Sequence, residues 1–197
     1  MNRRDLLKMI AAATGMAMVA GDVLAQGLTV ADKVPVTHIF SANDIALLDE
    51  IADTILPQTD TPGAKASGAG AQMAAIISNC FDQSQRTLVT EGLLALQALA
   101  LHRFKQPFQA ATPAQKLALL TELDNDAKAQ IAKAQIAKAN AQQQAPQAHY
   151  FTVLKQQSIF AFFTSKVGAT EVLRHVAIPG RWDGNYPYKK GDRAWSL

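Results

Sequence analysis

The side chains able to do chemistry are few and scattered. The 197-residue chain holds four histidines, His38, His102, His149 and His175, and one cysteine, Cys80. A transition-metal site needs several such ligands converging, usually announced by a short spacing such as His-Glu-x-x-His, and no such spacing occurs. Covalent haem attachment requires Cys-x-x-Cys-His and an iron–sulfur cluster needs several thiolates, so one cysteine excludes both for this chain alone. Acid/base work calls for two carboxylates in contrasting environments. Asp49 and Asp53 are four residues apart with Glu50 between them, but Ile45, Leu48, Ile51 and Ile55 mark the opposite side of the same helix. That pattern predicts a solvated acidic face. The stretch Ser67-Gly-Ala-Gly70 has two glycines, no preceding strand and no spaced third glycine, so it is not a dinucleotide-binding turn. Gly-x-Ser-x-Gly is absent, and His149 and His175 read as surface or structural residues. The sequence therefore predicts no catalytic, cofactor-binding or metal residue.

Residues suited to recognition, by contrast, are concentrated. Both tryptophans and two of the three tyrosines fall in the last sixteen residues, as Trp182, Tyr186, Tyr188 and Trp195, with Arg174, Arg181 and Arg193 around them. Pro179, Gly180, Gly184, Pro187 and Gly191 punctuate this segment and predict an irregular, turn-rich path. Aromatics and arginines dominate interface hot spots. Two readings stand side by side: a tail wrapping back on its own domain with Trp182 plugging the core, and a surface that grips another protein.

The elements that would carry these residues are helices. Ser41 to Asp44 forms a capping-box start, the apolar spacing from Ile45 to Ile55 is helical, and Pro57 ends it. Pro57 to Gly70 is a polar loop, longer than a minimal connection and a candidate contact loop. A short helix follows from about Ala71 to Cys80, with Cys80 on its apolar side and so expected to be buried and inert. Asp82 caps a longer helix ending near Phe104. Thr112-Pro113 opens another, with Leu117, Leu119, Leu120 and Leu123 as its buried face. The repeat Ala-Lys-Ala-Gln-Ile over 127–140 consists of strong helix formers. Five residues advance about 500° at 3.6 per turn, so Ile131 and Ile136 lie roughly 140° apart and form no stripe. It reads as a solvent-facing extension with a polar end at Gln142 to Gln144. Pro146 opens the last long helix, Gly168 caps it, and Ala169 to Val176 forms a short helix. No run alternates as a strand does. The fold class is all-α: one helical domain with a long irregular, aromatic-rich C-terminal segment.

The N-terminus has the three parts of an export signal. Arg3, Arg4 and Lys8 supply the positive region, with Leu6 and Leu7 after the arginine pair; Met9 to Ala20 is a weakly apolar core, and Val23-Leu24-Ala25 offers small residues for cleavage. Adjacent arginines ahead of a diluted core point to the twin-arginine route for folded proteins, the alternatives being an ordinary secretory signal or a retained anchor. The domain division is 1–25 as signal and 26–197 as one helical domain. Without the signal the formal charge falls from +3 to +2, and no basic patch interleaves with aromatics, so nucleic acid is not expected as a partner. No segment is long and apolar enough to cross a membrane.

Two stretches resemble the gluconate 2-dehydrogenase subunit 3 family. One is Leu48-Asp-Glu-Ile-Ala-Asp-Thr-Ile-Leu-Pro57 within Ser41 to Gly68; the other is Thr164-Ser-Lys-Val-Gly-Ala-Thr-Glu171 through Pro179-Gly-Arg-Trp182, with Gly191-Asp-Arg-Ala-Trp195 beyond it. The resemblance implies a non-catalytic small subunit of a periplasmic complex. In such complexes a flavoprotein of the glucose–methanol–choline type holds FAD and oxidises a sugar, and a multihaem cytochrome c subunit takes the electrons. The small subunit supplies the signal for the twin-arginine translocase, and its flavoprotein typically lacks one. The resemblance places partner binding on Phe163, Thr164, Ser165, Gly168, Glu171, Arg174, Pro179, Gly180, Arg181, Trp182, Tyr186, Pro187 and Trp195. Relatives often carry a cysteine near Pro-Gly-Arg-Trp-Asp-Gly, where this chain has Asn185. The competing expectation is a free-standing periplasmic helical enzyme or ligand-binding domain that needs no partner.

Overall fold

A computed structural model describes residues 39–139, 148–178, 180 and 183–196. The export signal with Arg3, Arg4, Leu6, Leu7 and Lys8, the polar end at Gln142 to Gln144, Pro146, and the C-terminal Pro179, Arg181 and Trp182 lie outside the described residues.

The all-α expectation holds. Helix α1 (Ala42–Ile55) begins with the expected capping box: the Asp44 amide donates to Ser41 Oγ at 3.3 Å, and the Ser41 amide donates back to Asp44 Oδ2 at 2.9 Å. The first-turn carboxylate also suits the positive end of the helix dipole. After a 3₁₀ turn at Ala64–Ser67, α2 (Ala69–Cys80) runs to the next cap. Helix α3 (Gln83–Phe104) opens on a second capping box, with Asp82 Oδ1 accepting from the Gln85 amide at 2.8 Å and Gln85 Oε1 from the Asp82 amide at 3.3 Å. Helix α4 (Pro113–Ala139) follows a short 3₁₀ turn at Phe108–Ala110, and α5 (Tyr150–Thr164) packs on α1, α2, α3 and α4.

Leu47, Leu48 and Ile51 of α1, Met73 and Ile77 of α2, Leu96 of α3, Leu119 of α4 and Phe151 and Leu154 of α5 meet Phe108 in one fully buried core. Each such side chain contributes on the order of 1.5–3 kcal/mol by leaving water. Near its centre the Ser158 hydroxyl donates to the Leu154 carbonyl at 2.8 Å, which satisfies a buried polar group within its own helix. The Ala-Lys-Ala-Gln-Ile repeat continues α4 as the extension its composition predicts. Ala127 is buried, whereas Ile131 is exposed.

Several local expectations are corrected. Cys80 is exposed. It is the last residue of α2 and lies at the margin of the buried stripe formed by Gly70, Met73, Ala74, Ile77 and Ser78, so the core ends before reaching it. Leu117 is 57 % exposed, because α4 turns Leu119, Leu120 and Leu123 inward and the remaining leucine of the set outward. The last long helix starts at Tyr150 with His149 as its cap. It ends at Thr164, before Gly168, and the segment expected as a helix over Ala169 to Val176 is a π-helical turn, Gly168–Val172, followed by β1 (Arg174–His175). Gly168 is needed there for a different reason: a Cβ would collide with the Phe162 carbonyl oxygen. Finally, β1 pairs in parallel with β2 (Trp195–Ser196), so a two-stranded sheet exists that no alternation announces.

Candidate functional site

The acidic face of α1 is not simply solvated; it fastens the Pro57 to Gly70 loop. Three carboxylates, one helical turn apart or less, each hold a different point. Asp49 Oδ1 accepts from the Gly70 amide at 2.7 Å, supplying from outside the side-chain cap that Gly68 cannot give α2. Gly70 has to be glycine, since a Cβ would stand 2.6 Å from Asp49. Asp53 accepts a long bond from the Lys65 amide at 3.4 Å. Glu50 takes both ammonium groups, Lys65 on the loop and Lys116 on α4, the latter at 2.7 Å. Burial pushes the Glu50 carboxyl up, but the hydrogen bonds from Lys116 and Lys65 outweigh it and hold the group below its ordinary value. The clasp covers Gly63 and Ala64 and leaves Pro57 to Asp60 exposed.

A second polar cluster lies across α4 and α5. Asp124 pairs with Lys128 and with Lys155, both at 2.7 Å, and these bonds lower its carboxyl pKa. They border an open groove of about 250 Å³ lined also by Ile55, Leu117 and Phe151. Small-molecule sites generally enclose about 300–1,000 Å³. Among the described residues no three of His, Cys, Asp or Glu come together as metal ligands.

The C-terminal segment is a closed loop. The Arg174 amide donates to the Ala194 carbonyl at 2.8 Å, and the register sets Arg174 opposite Trp195 and His175 opposite Ser196. Across that closure the Arg174 guanidinium lies 4.7 Å from the centre of the Trp195 ring and donates to Tyr186 Oη at 2.9 Å. Tyr186 in turn meets Trp195 edge to face at 5.7 Å. Such cation–π and aromatic contacts each contribute about 0.5–1 kcal/mol at an exposed site. Arg193 Nη1 ties the loop back to the π turn through the Glu171 carbonyl, 2.6 Å away.

Of the thirteen residues expected to bind a partner, the structure brings Arg174, Tyr186 and Trp195 into direct contact and adds Glu171 through its carbonyl. Ser165 and Gly168 are buried: Ser165 Oγ donates to the Phe162 carbonyl at 2.6 Å and accepts from the Gly168 amide at 3.0 Å, so the pair shapes the chain reversal after α5. Phe163 is half-buried, Thr164 is exposed with its hydroxyl accepting from Gln72, and Gly180 and Pro187 are exposed. Sequence reasoning missed the clasp residues Asp49, Glu50 and Lys116. The available signal was two glycines, Gly63 and Gly70, in a loop following a carboxylate-rich helix.

The family model of gluconate 2-dehydrogenase subunit 3 matches residues 42–180, more than half of the chain. The chain belongs to the gluconate 2-dehydrogenase subunit 3 family. Comparison with curated proteins and with solved structures gives no match. The family is that of one subunit of a gluconate 2-dehydrogenase complex, which sets this subunit 3 chain in an assembly with a dehydrogenase. The match starts at the first helical residue of α1 and takes in the clasp, the helical core, the π turn and Arg174. Tyr186 and Trp195, which grip Arg174, lie beyond its end.

Proposed function

We propose that this subunit 3 chain is the non-catalytic small subunit of a periplasmic, FAD-dependent sugar dehydrogenase, and that it carries the flavoprotein across the membrane on its own twin-arginine signal. The observation that carries this reading is the family match over residues 42–180, preceded in the sequence by Arg3-Arg4-Asp5-Leu6-Leu7-Lys8. The folded cargo that such a signal serves would be the partner: a glucose–methanol–choline-type flavoprotein holding FAD, loaded in the cytoplasm and exported as a complex. A multihaem cytochrome c subunit would receive its electrons at the periplasmic face. The groove beside Asp124 does not fit a flavin, because it is open and small and its lysines are engaged by Asp124.

The flavoprotein encoded beside this chain, expressed with and without it, supplies the test. Dye-linked sugar dehydrogenase activity in the periplasm should fall to background when the chain is omitted or when Arg3 and Arg4 are both changed to lysine, while cytoplasmic flavoprotein remains. Unchanged periplasmic activity in the double variant would remove the escort role. Sugar turnover by the purified chain alone would favour the free-standing enzyme.

A further inference from the structure

Helix α3 is apolar on two sides. Its inner side, with Val89, Gly92, Leu93, Leu96 and Ala100, is buried. A surface helix ordinarily sets charged and polar groups opposite such a stripe. Here the opposite side carries Leu94, 71 % exposed, and Leu101, 50 % exposed, with the exposed Ala95 and Ala98 between them. At about 100° per residue, Leu94, Ala95 and Leu101 all point within about 60° of the Ala98 direction, so the four form one continuous strip. Glu91 and Lys105 close its two ends on nearly the same line, and neither forms an ion pair among the described residues.

The strip is laid out evenly about Ala98. Glu91 stands seven residues before it and Lys105 seven after, with Leu94 four before and Leu101 three after. We infer that this face is a self-complementary contact on which a second copy of this chain docks antiparallel, with the twofold axis at Ala98. Rotation about that axis brings Leu94 of each copy beside Leu101 of the other, Ala95 beside His102, and Glu91 opposite Lys105 at both ends. The Ala98 methyl lies on the axis and is small enough to let the helices approach to the about 8–10 Å of ordinary helix pairs. The same patch then serves on both copies, as a twofold contact requires.

Charge and spacing select this occupant. A parallel second copy would set Glu91 against Glu91 and Lys105 against Lys105, so the antiparallel register is the one that pairs every charge. An unrelated protein surface imposes no relation between the two ends of the strip. Opposite charges equally spaced about one small residue are what a twofold contact needs. The strip from Glu91 to Lys105 is about 21 Å long at 1.5 Å per residue. One helix pair of that length buries less than the roughly 1,200 Å² at the lower end of stable interfaces, so the association belongs in the micromolar range. The contact uses none of the residues assigned above to flavoprotein binding and goes beyond that reading.

Sedimentation equilibrium of the purified full chain should show a reversible dimer. Leu94→Ala together with Leu101→Ala should raise its dissociation constant about a hundredfold, with the helix kept because alanine is the stronger helix former. Glu91→Lys alone, or Lys105→Glu alone, should weaken the dimer about tenfold at low ionic strength, since each puts like charges together at both ends. The two changes in one chain restore opposite pairs and should return the constant to within about threefold of the native value. Ala98→Cys, combined with Cys80→Ser, should oxidise to a covalent dimer, because a residue on the axis meets its own copy within disulfide reach. Lys133→Cys in the same background, on the exposed extension of α4, should not. Circular dichroism should show every variant folded. A chain that stays monomeric, a dimer that the leucine variant leaves unchanged, or single charge reversals that their combination does not rescue would each overturn the inference. A monomer whose Ala98→Cys thiol is shielded from a thiol reagent only by added flavoprotein overturns it too, and assigns the strip to that partner.

Discussion

Glu50 sits between two ammonium groups that come from different parts of the chain, Lys65 on the clasped loop and Lys116 on α4. Lys116 is the more buried of the two, so removing its counter-charge leaves a poorly solvated cation. Glu50→Gln keeps the shape and deletes the charge, and should destabilise the fold by about 2 kcal/mol, less than a fully buried pair because the carboxylate is still partly wet. The pH dependence has a definite sign. The Glu50 carboxyl is held below its ordinary value, so its stabilisation is complete above the unfolded carboxylate pKa and is lost as pH falls through the folded one. Urea midpoints measured from neutral to acid pH should show the native protein and Glu50→Gln converging at low pH. Parallel curves would mean that the pair contributes nothing. None of this was legible in the sequence. Spacing placed Asp49, Glu50 and Asp53 opposite the apolar stripe, correctly, but which residues would arrive there from twelve to sixty-six positions away is a tertiary fact. The same limit explains Cys80, whose helix face could be read but whose distance from the end of the core could not.

Helix boundaries were the legible part at the next scale, because their causes are local. Ser41-x-x-Asp44, Asp82 and Thr112-Pro113 each mark a start within a few residues, and the helices begin where those signals say. The α5 start was misread because histidine is an uncommon cap. His149 Nδ1 accepts from the Phe151 amide at 3.2 Å, which only a neutral imidazole can do. Burial depresses its pKa, with the Asp126 carboxylate opposing that shift. A histidine whose folded pKa is lowered contributes stability above its unfolded value near 6.5, and that contribution is lost as pH falls. Protonation also places a cation at the positive end of the helix dipole. His149→Asp keeps a side-chain acceptor and removes the imidazole. It should match the native protein at neutral pH and exceed it by about 1 kcal/mol at mildly acidic pH, as read from thermal unfolding followed by circular dichroism. Equal acid sensitivity in the two proteins would assign the loss to other groups. Periodicity also succeeded on the repeat: a five-residue period cannot hold one face, and α4 projects past Ala127 with Ile131 in solvent.

Among the described residues, the large buried aliphatic and aromatic side chains lie in the helical body, whereas Tyr186, Tyr188 and Trp195 are exposed together on one loop joined to that body through the π turn and β1, with Phe160 exposed on α5. Composition announced that loop, and its closure was invisible because two paired residues at each end are too short to alternate. The arrangement separates the helical core from the closure of the loop, and one substitution should separate the two in measurement. Trp195→Ala removes the ring under Arg174 and the edge against Tyr186 but touches no side chain of the core. The helical body should therefore unfold within about 0.5 kcal/mol of the native protein, as surface changes usually do. The loop should open: trypsin cleavage after Lys189 and Lys190 should accelerate about tenfold, matching the loss of the roughly 1–2 kcal/mol that the two aromatic contacts supply. Arg193→Ala, which releases only the tether to Glu171, should produce a smaller change in the same direction. A Trp195→Ala protein that loses helical stability along with loop closure would show instead that the loop is part of the folding core.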